Sequence, residues 1–278
     1  MIGVPAQVAI VTGGGSGIGA GLCGELARRG VRVVVADIRG ADAERVAAEI
    51  TASGGQAESR PVDVSDEAAV RLLVTETAAA YGRLDYLFNN AGIAIGGDAR
   101  DLKLEHWNQV LDVDLYGVLH GCLAAYPVMA RQGFGHIVNT SSPIAFFPDP
   151  GNGPYCTAKH ALIGLSLTLR LEGADLGVRV SVVCPGFVRS NIYQNARVVN
   201  MQALSGRERE RAAGAPARMM SAEHAARVIL DGVARNQGLI VFPAGMRWLR
   251  RLYTVVPGLL NRELQRRWYR RRSLRMEA

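Results

Sequence analysis

The chain has 278 residues, 49% hydrophobic and 21% charged, a globular composition that excludes a disordered or low-complexity protein. Its formal charge of +7 is lopsided: residues 246–278 carry ten Arg against Glu263 and Glu277, whereas residues 1–245 carry 22 basic and 23 acidic side chains. Cys23, Cys122, Cys156 and Cys184 lie far apart, which excludes a zinc module or a disulfide framework and fits buried thiols in a reducing cytosol.

In chain order, the first apolar run is Val8–Thr12, too close to Met1 to leave room for a signal peptide. Further strands are expected at Val31–Asp37, Glu58–Val64, Leu84–Asn89, His136–Ser141, Arg179–Cys184 and Leu239–Phe242. These runs are rich in Val and Ile with little alternation, as in parallel strands covered on both faces. Helical periodicity fills the intervals Gly17–Arg29, Asp42–Ser53, Asp66–Tyr81, Glu105–Arg131, Pro154–Gly173 and Ser221–Asn236. Ser65 and Ser221 are expected to cap two of these helices. Gly30 and Gly82 follow helix ends, where a left-handed residue is useful. No uncharged apolar stretch has the length of a bilayer crossing. Strand and helix alternating in this way predict an α/β domain, a Rossmann-like doubly wound parallel sheet of about seven strands. That domain is expected over 1–245, with a substrate lid over 188–216 and an Arg-rich amphipathic tail over 246–278.

Thr12-Gly-Gly-Gly-Ser-Gly-Ile-Gly19 follows the first strand and opens a helix. Gly13, Gly17 and Gly19 let the backbone turn sharply beside a pyrophosphate, and the helix N–H groups behind Ser16 and Ile18 favour its negative charge. Asp37 closes the second strand about twenty residues beyond the turn, where a carboxylate binds ribose hydroxyls and repels a 2′-phosphate. Ser16 stands where a basic residue would favour NADP. Arg39 argues the other way, but Asp37 and Ser16 together point to NAD.

Tyr155 and Lys159 are four apart at the start of a helix and so share a face. An ammonium beside a phenol favours the phenolate and tunes tyrosine for general acid/base work. Of 32 cationic residues only Lys103 and Lys159 are lysines, and arginine does not readily replace a compact ammonium. Ser142 follows the fifth strand at its carboxyl end, where open α/β sheets bind ligands.

The ordered set Thr12-Gly-x-x-x-Gly-x-Gly19, Asp63-Val64, Asn89-Asn-Ala-Gly92, Ser142, Tyr155-x-x-x-Lys159 and Pro185-Gly186 resembles the classical short-chain dehydrogenase/reductase family, strongly over about residues 5–190. The resemblance implies hydride transfer between a nicotinamide and a substrate carbon. It gives Tyr155 the proton, Lys159 the nicotinamide ribose as well, and Ser142 the substrate. It further implies that Asp63 and Val64 flank the adenine, that Asn90, Ala91 and Gly92 line the cofactor cleft, and that Pro185, Gly186, Val188 and Ser190 lie against the nicotinamide. One departure stands out: where the family has Asn-x-x-Gly, this chain reads Asp114-Leu-Tyr-Gly117. A carboxylate there accepts but does not donate, and its charge counters the effect of Lys159 on Tyr155, which predicts a shifted pH optimum.

Pro143-Ile-Ala-Phe-Phe-Pro148 points either to a hydrophobic alcohol or ketone as substrate or to packing of Phe146 and Phe147 beneath the helix or at a subunit interface. The tail carries Met246, Leu249, Tyr253, Val256, Leu260, Leu264 and Trp268 at helical spacing among its arginines. Docking on a neighbouring subunit and a peripheral contact with a membrane surface both fit that pattern. No recognition motif supports a nucleic-acid partner, and a homodimer or homotetramer is what the resemblance implies. A catalytically weak NAD(H)-binding sensor or scaffold on the same fold is the rival reading. A fatty-acid-type thioester reductase would prefer NADPH, which Asp37 opposes.

Overall fold

Strands without alternation must be covered on both faces, and the structure covers them. The computed structural model describes residues 6–190, 192–200 and 219–276. Among them the strands in chain order are β1 Val8–Thr12, β2 Arg32–Asp37, β3 Ala57–Pro61, β4 Tyr86–Asn89, β5 Ile95–Gly96, β6 Gly135–Thr140, β7 Val178–Pro185, β8 Arg197–Val198 and β9 Leu239–Phe242. Seven form one parallel sheet in the order β3-β2-β1-β4-β6-β7-β9, while β5 and β8 pair separately. The helices are α1 Gly17–Arg28, α2 Gly40–Ala52, α3 Glu67–Tyr81, α4 Leu104–Leu111, α5 Gly117–Gln132, α6 Gly153–Glu172, α7 Ile192–Asn195, α8 Ala222–Ala234, α9 Ala244–Val255 and α10 Pro257–Met276.

The core has two halves, one per sheet face. On one, Val11, Val33, Val35 and Phe88 meet Leu22, Leu26, Val46 and Ile229 of α1, α2 and α8. On the other, Ile10, Val34, Leu87 and Ile137 meet Leu73, Val118, Met129 and Leu162 of α3, α5 and α6. Within Leu104–Gln132 an 18-residue window has a mean hydropathy of 1.2, enough by length and composition to cross a membrane. Here its Val118, Cys122, Ala125 and Met129 are buried against the sheet.

Several boundaries differ from expectation for local reasons. The third strand stops at Pro61, which has no N–H to donate, although Val62 still donates to the Asp37 carbonyl at 3.0 Å. The cap of α3 is Asp66, accepting from the Ala69 amide at 3.1 Å, while Ser65 turns back to Asp63 at 2.7 Å. Ser221 caps α8 through the His224 amide. The helix expected over Glu105–Arg131 is interrupted by a π turn at Asp112–Tyr116, an element that inserts one residue per turn and redirects the side chains within it. Its Asp114 is fully buried. The lid expected over 188–216 falls largely on residues outside those described.

At the sheet interior His136 is buried, with Nε2 2.8 Å from the Ser181 hydroxyl. Burial, with Arg179 and Arg170 nearby, lowers its pKa to about 3. The folded state therefore cannot take the proton that the unfolded chain takes below about 6.5, and stability is lost as pH falls from there towards 3. One such group gives a slope of about 1.4 kcal/mol per pH unit. We expect His136→Asn to flatten the decline of the thermal midpoint between pH 6.5 and 4. Parallel curves for parent and variant would contradict the assignment.

Candidate active site

The strand order reverses between β1 and β4, and the crevice that opens at their carboxyl ends is where a doubly wound sheet binds ligands. The glycine turn lies on its β1 side. Gly13 and Gly17 adopt φ of +63° and +51°, conformations that L side chains rarely take. A Cβ on Gly19 would lie 2.0 Å from the Gly13 carbonyl oxygen, and one on Gly17 would lie 2.8 Å from the Ser190 Cβ. Ser16 precedes α1 without a side-chain cap bond, so the N–H groups behind Gly17 and Ile18 face the crevice free for an anion. The cradle fits a dinucleotide pyrophosphate.

Thr12 ties the two sides of the crevice together. Its hydroxyl accepts the amides of Asn90 at 3.0 Å and Ala91 at 3.2 Å, and the Asn90 side chain donates to the Thr12 carbonyl at 3.2 Å. Asn90 thus braces the glycine turn from across the crevice. At the end of β2, Asp37 is almost wholly buried and accepts from the Gly15 and Arg39 amides, both at 3.0 Å. Arg39 ion-pairs with Asp42 at 2.9 Å and lies 3.9 Å from Asp37. Arg39 is therefore held between two carboxylates.

Among the other expected cleft residues, Val64 is buried and packs so close to Gly117 that a Cβ there would meet it at 2.8 Å. Asp63 is exposed and engaged with Ser65. Pro185 ends β7, and the Gly186 amide donates to the Phe242 carbonyl at 2.8 Å. Val188 is buried and bridges to Met220. Ser190 faces Gly17 across the crevice.

On the β4–β6 side, Lys159 is the centre. Its Nζ lies 2.9 Å from Asp114 Oδ2, donates to the Thr140 carbonyl at 3.1 Å and sits 5.3 Å from the Tyr155 ring centroid. Asp114 Oδ1 accepts the Ile93 amide at 2.7 Å, and its carboxylate abuts Gly92, where a Cβ would come within 3.2 Å. The Ser141 hydroxyl donates to the Lys159 carbonyl at 2.8 Å and fixes the first turns of α6 against β6. Ser142 caps the short 3-10 turn Pro143–Phe146, and its hydroxyl favours ionisation of the neighbouring Tyr155 phenol.

The electrostatics differ from a simple lysine-tuned tyrosine. Burial pushes the Tyr155 phenol well above its ordinary range, the Asp114 charge pushes it further, and the Ser142 hydrogen bond opposes both. Burial also raises the Asp114 carboxyl, against the lowering effects of Lys159 and the Ile93 amide. The carboxylate that engages Lys159 offsets the help the ammonium would give the phenol. Reading the sequence missed Thr140 and Ser141, which hold Lys159; Thr140 acts through a main-chain carbonyl that no side-chain pattern advertises.

The tail adds a wall. The apolar stripe of the tail, for which a neighbouring subunit and a membrane surface were both open, turns within this chain towards its own domain. Tyr253 meets Phe147 at a tilt, with ring centroids 6.1 Å apart, Met246 lies beside Gly186, and Trp268 lies so near Gly151 that a Cβ there would meet its ring at 2.9 Å. Arg250 covers the Phe146 ring at 5.0 Å.

Fold and site together define an oxidoreductase of the doubly wound α/β class. The chain belongs to the short chain dehydrogenase family, whose model matches residues 7–200. It is 38% identical over 189 residues to a 2,5-dichloro-2,5-cyclohexadiene-1,4-diol dehydrogenase of Sphingobium indicum, covering 68% of this chain and 76% of that one. It is 34% identical to a cyclohexanol dehydrogenase of an Acinetobacter species, covering 71% and 80%. Among solved structures, a short-chain dehydrogenase/reductase from Burkholderia phymatum in complex with NAD superposes with a TM-score of 0.83 at 28% identity, covering 94% of this chain and 97% of that one.

The cradle is testable on its own. In Gly19→Ala the new methyl must displace the Gly13 carbonyl, so NADH titrated by fluorescence should bind on the order of tenfold more weakly or worse. Parent-like affinity in a folded variant would contradict the packing described.

Proposed function

We propose that the chain interconverts a hydrophobic secondary alcohol and its ketone with NAD(H), using Tyr155 as the general acid/base. The observation that carries the reading is the Ser142–Tyr155–Lys159 set at the carboxyl edge of the sheet, beside a glycine cradle suited to a dinucleotide. A bound nicotinamide supplies or accepts the hydride. Gly13, Ser16, Gly17, Ile18 and Gly19 would hold the pyrophosphate, Asp37, Asp63 and Val64 the adenosine end, and Asn90, Ala91 and Gly92 the middle of the cleft. Pro185, Gly186, Val188 and Ser190 would flank the nicotinamide, and Lys159 its ribose. NAD over NADP is favoured by Asp37 and by the pairing of Arg39 with Asp42, which leaves little net positive charge for a 2′-phosphate. The NAD-bound state of the Burkholderia structure agrees with that preference.

In the proposed chemistry, Ser142 and Tyr155 hold the substrate oxygen, and Tyr155 takes the hydroxyl proton in oxidation or returns it in reduction. Asp114 sets the pH at which that exchange works, because its charge disfavours the phenolate. The apolar wall of Ile144, Phe146 and Phe147, with Tyr253 behind it, suits a ring-bearing alcohol, in keeping with relatives named for a cyclic diol and for cyclohexanol. A homo-oligomer is supported by the exposed Tyr116, Leu123, Leu167 and Leu171, which leave apolar surface for a second copy. The sensor reading has one observation in its favour, the raised Tyr155 phenol.

NADH oxidation against a panel of cyclic ketones, with alcohol oxidation by NAD and NADP, separates these readings. Tyr155→Phe should lose roughly 10²- to 10⁴-fold in turnover; equal turnover by parent and variant would overturn the proposal. In Asp114→Asn the rising limb of alcohol oxidation should move to lower pH, since removing a negative charge favours the phenolate. An unchanged pH–rate profile would contradict the role given to Asp114.

A further inference from the structure

The inner stripe of the tail is seated on the domain, but α9 and the start of α10 carry a second apolar stripe on the opposite side. Trp248, Leu252, Val255 and Leu259 are 67%, 49%, 78% and 67% exposed. The spacing of four and three places Trp248, Leu252 and Val255 on one face of α9, and Leu259 follows on α10, beyond the break at Val256. No buried residue lies on α9, so the helix rests on the domain without being enclosed by it.

Arginines surround this stripe. Arg247, Arg250 and Arg251 line a hollow of about 340 Å³ together with Arg235 of the turn after α8, floored by Leu239, Ile240, Val241 and Phe242 of the edge strand β9. Arg250 and Arg251 also border a second hollow beside Thr254 and Val255. Among the described residues none of these four arginines has a carboxylate partner, whereas Arg267 pairs with Glu263 at 2.8 Å. Arg251 lies over the Trp248 ring at 5.3 Å, which puts a cation at the level of an interfacial tryptophan. A protein surface seldom leaves large exposed apolar side chains in a row beside four cations that lack carboxylate partners without something to cover them.

We propose that this face is a docking surface for anionic phospholipid bilayers: Trp248, Leu252, Val255 and Leu259 enter the boundary between headgroups and acyl chains, and the Arg235–Arg247–Arg250–Arg251 hollow takes a lipid phosphate. The chemistry matches on both counts, aliphatic and indole side chains for the apolar layer and guanidinium forks for phosphate. A second copy of the chain does not fit as occupant. Two tails meeting here would bring ten Arg against ten with only Glu263 and Glu277 on each side, a like-charge juxtaposition that opposes association. A nucleic acid would use the arginines but has no use for Val255 and Leu259. The inference does not depend on which substrate the site takes. It adds a location for the mouth of the cleft, because the inner face of the same helix carries Met246 and Tyr253 beside Gly186 and Phe147.

The test is co-sedimentation of the full chain with phosphatidylcholine vesicles and with vesicles containing phosphatidylglycerol, at low and high salt. The parent should bind the anionic vesicles, and high salt should weaken the binding. Trp248→Ser with Val255→Ser, and separately Arg247→Gln with Arg251→Gln, should each weaken it on the order of tenfold or more, with thermal midpoint and NADH binding kept as evidence of folding. Three results would overturn the proposal. One is no binding to either vesicle. Another is binding that neither variant pair weakens. The third is a parent whose mass by light scattering halves in the Trp248/Val255 variant, which would show that a second copy covers the stripe.

Discussion

A single buried ammonium organises this site. Lys159 is the one lysine near the crevice, and three groups converge on it: the Asp114 carboxylate, the Thr140 carbonyl and the Tyr155 ring. An amine this far from water needs compensation, and removing one member of a buried ion pair costs about 3–5 kcal/mol. The pair is therefore both a structural tie between α6 and the π turn and an electrostatic control on the phenol. Because Asp114 holds the ammonium, the phenol sees a nearly neutral pair rather than a free positive charge. Burial then dominates, and the proton stays on Tyr155 until the alkaline range.

The rest of the architecture serves that arrangement. The order β1-β4-β6 brings the glycine turn, the Asn90–Gly92 segment and Ser142 to one edge. Thr12 and Asn90 lock two of them together by side-chain hydrogen bonds. The π turn delivers Asp114 to the amide of Ile93 and the amine of Lys159 in one step. The tail closes the remaining side with Met246, Tyr253 and Trp268, so the cationic end of the chain takes part in the cleft instead of trailing from it.

Much of this was legible in the sequence. Unalternating Val-rich runs separated by helical periods gave the parallel sheet, because a strand covered on both faces has no polar side to alternate. The spacing of Tyr155 and Lys159 and the glycines of the first turn were visible for the same reason: their geometry is local. Asp114 was readable as a departure whose charge opposes Lys159, but the π turn that carries it and the three-way contact at Lys159 were not, since both depend on tertiary packing. The cap of α3 went to Asp66 instead of Ser65, whose hydroxyl is taken by Asp63. The short pair β5–β8 has only two residues per strand, too few for any pattern to register. The tail was read with one apolar stripe where it has two, since the outward residues are interleaved with arginines and only exposure separates the faces.

The central claim is that the ionisation of Tyr155 is governed by burial and by the charge of Asp114 acting across Lys159. Its most direct test is a ¹³C NMR titration of protein labelled at tyrosine Cζ, with the Tyr155 signal identified by its loss in Tyr155→Phe. The account predicts a parent phenol that titrates above the range of the exposed tyrosines, and an Asp114→Asn signal that titrates at lower pH than the parent. A Tyr155 signal that titrates with the exposed tyrosines, or at the same pH in both proteins, would contradict it.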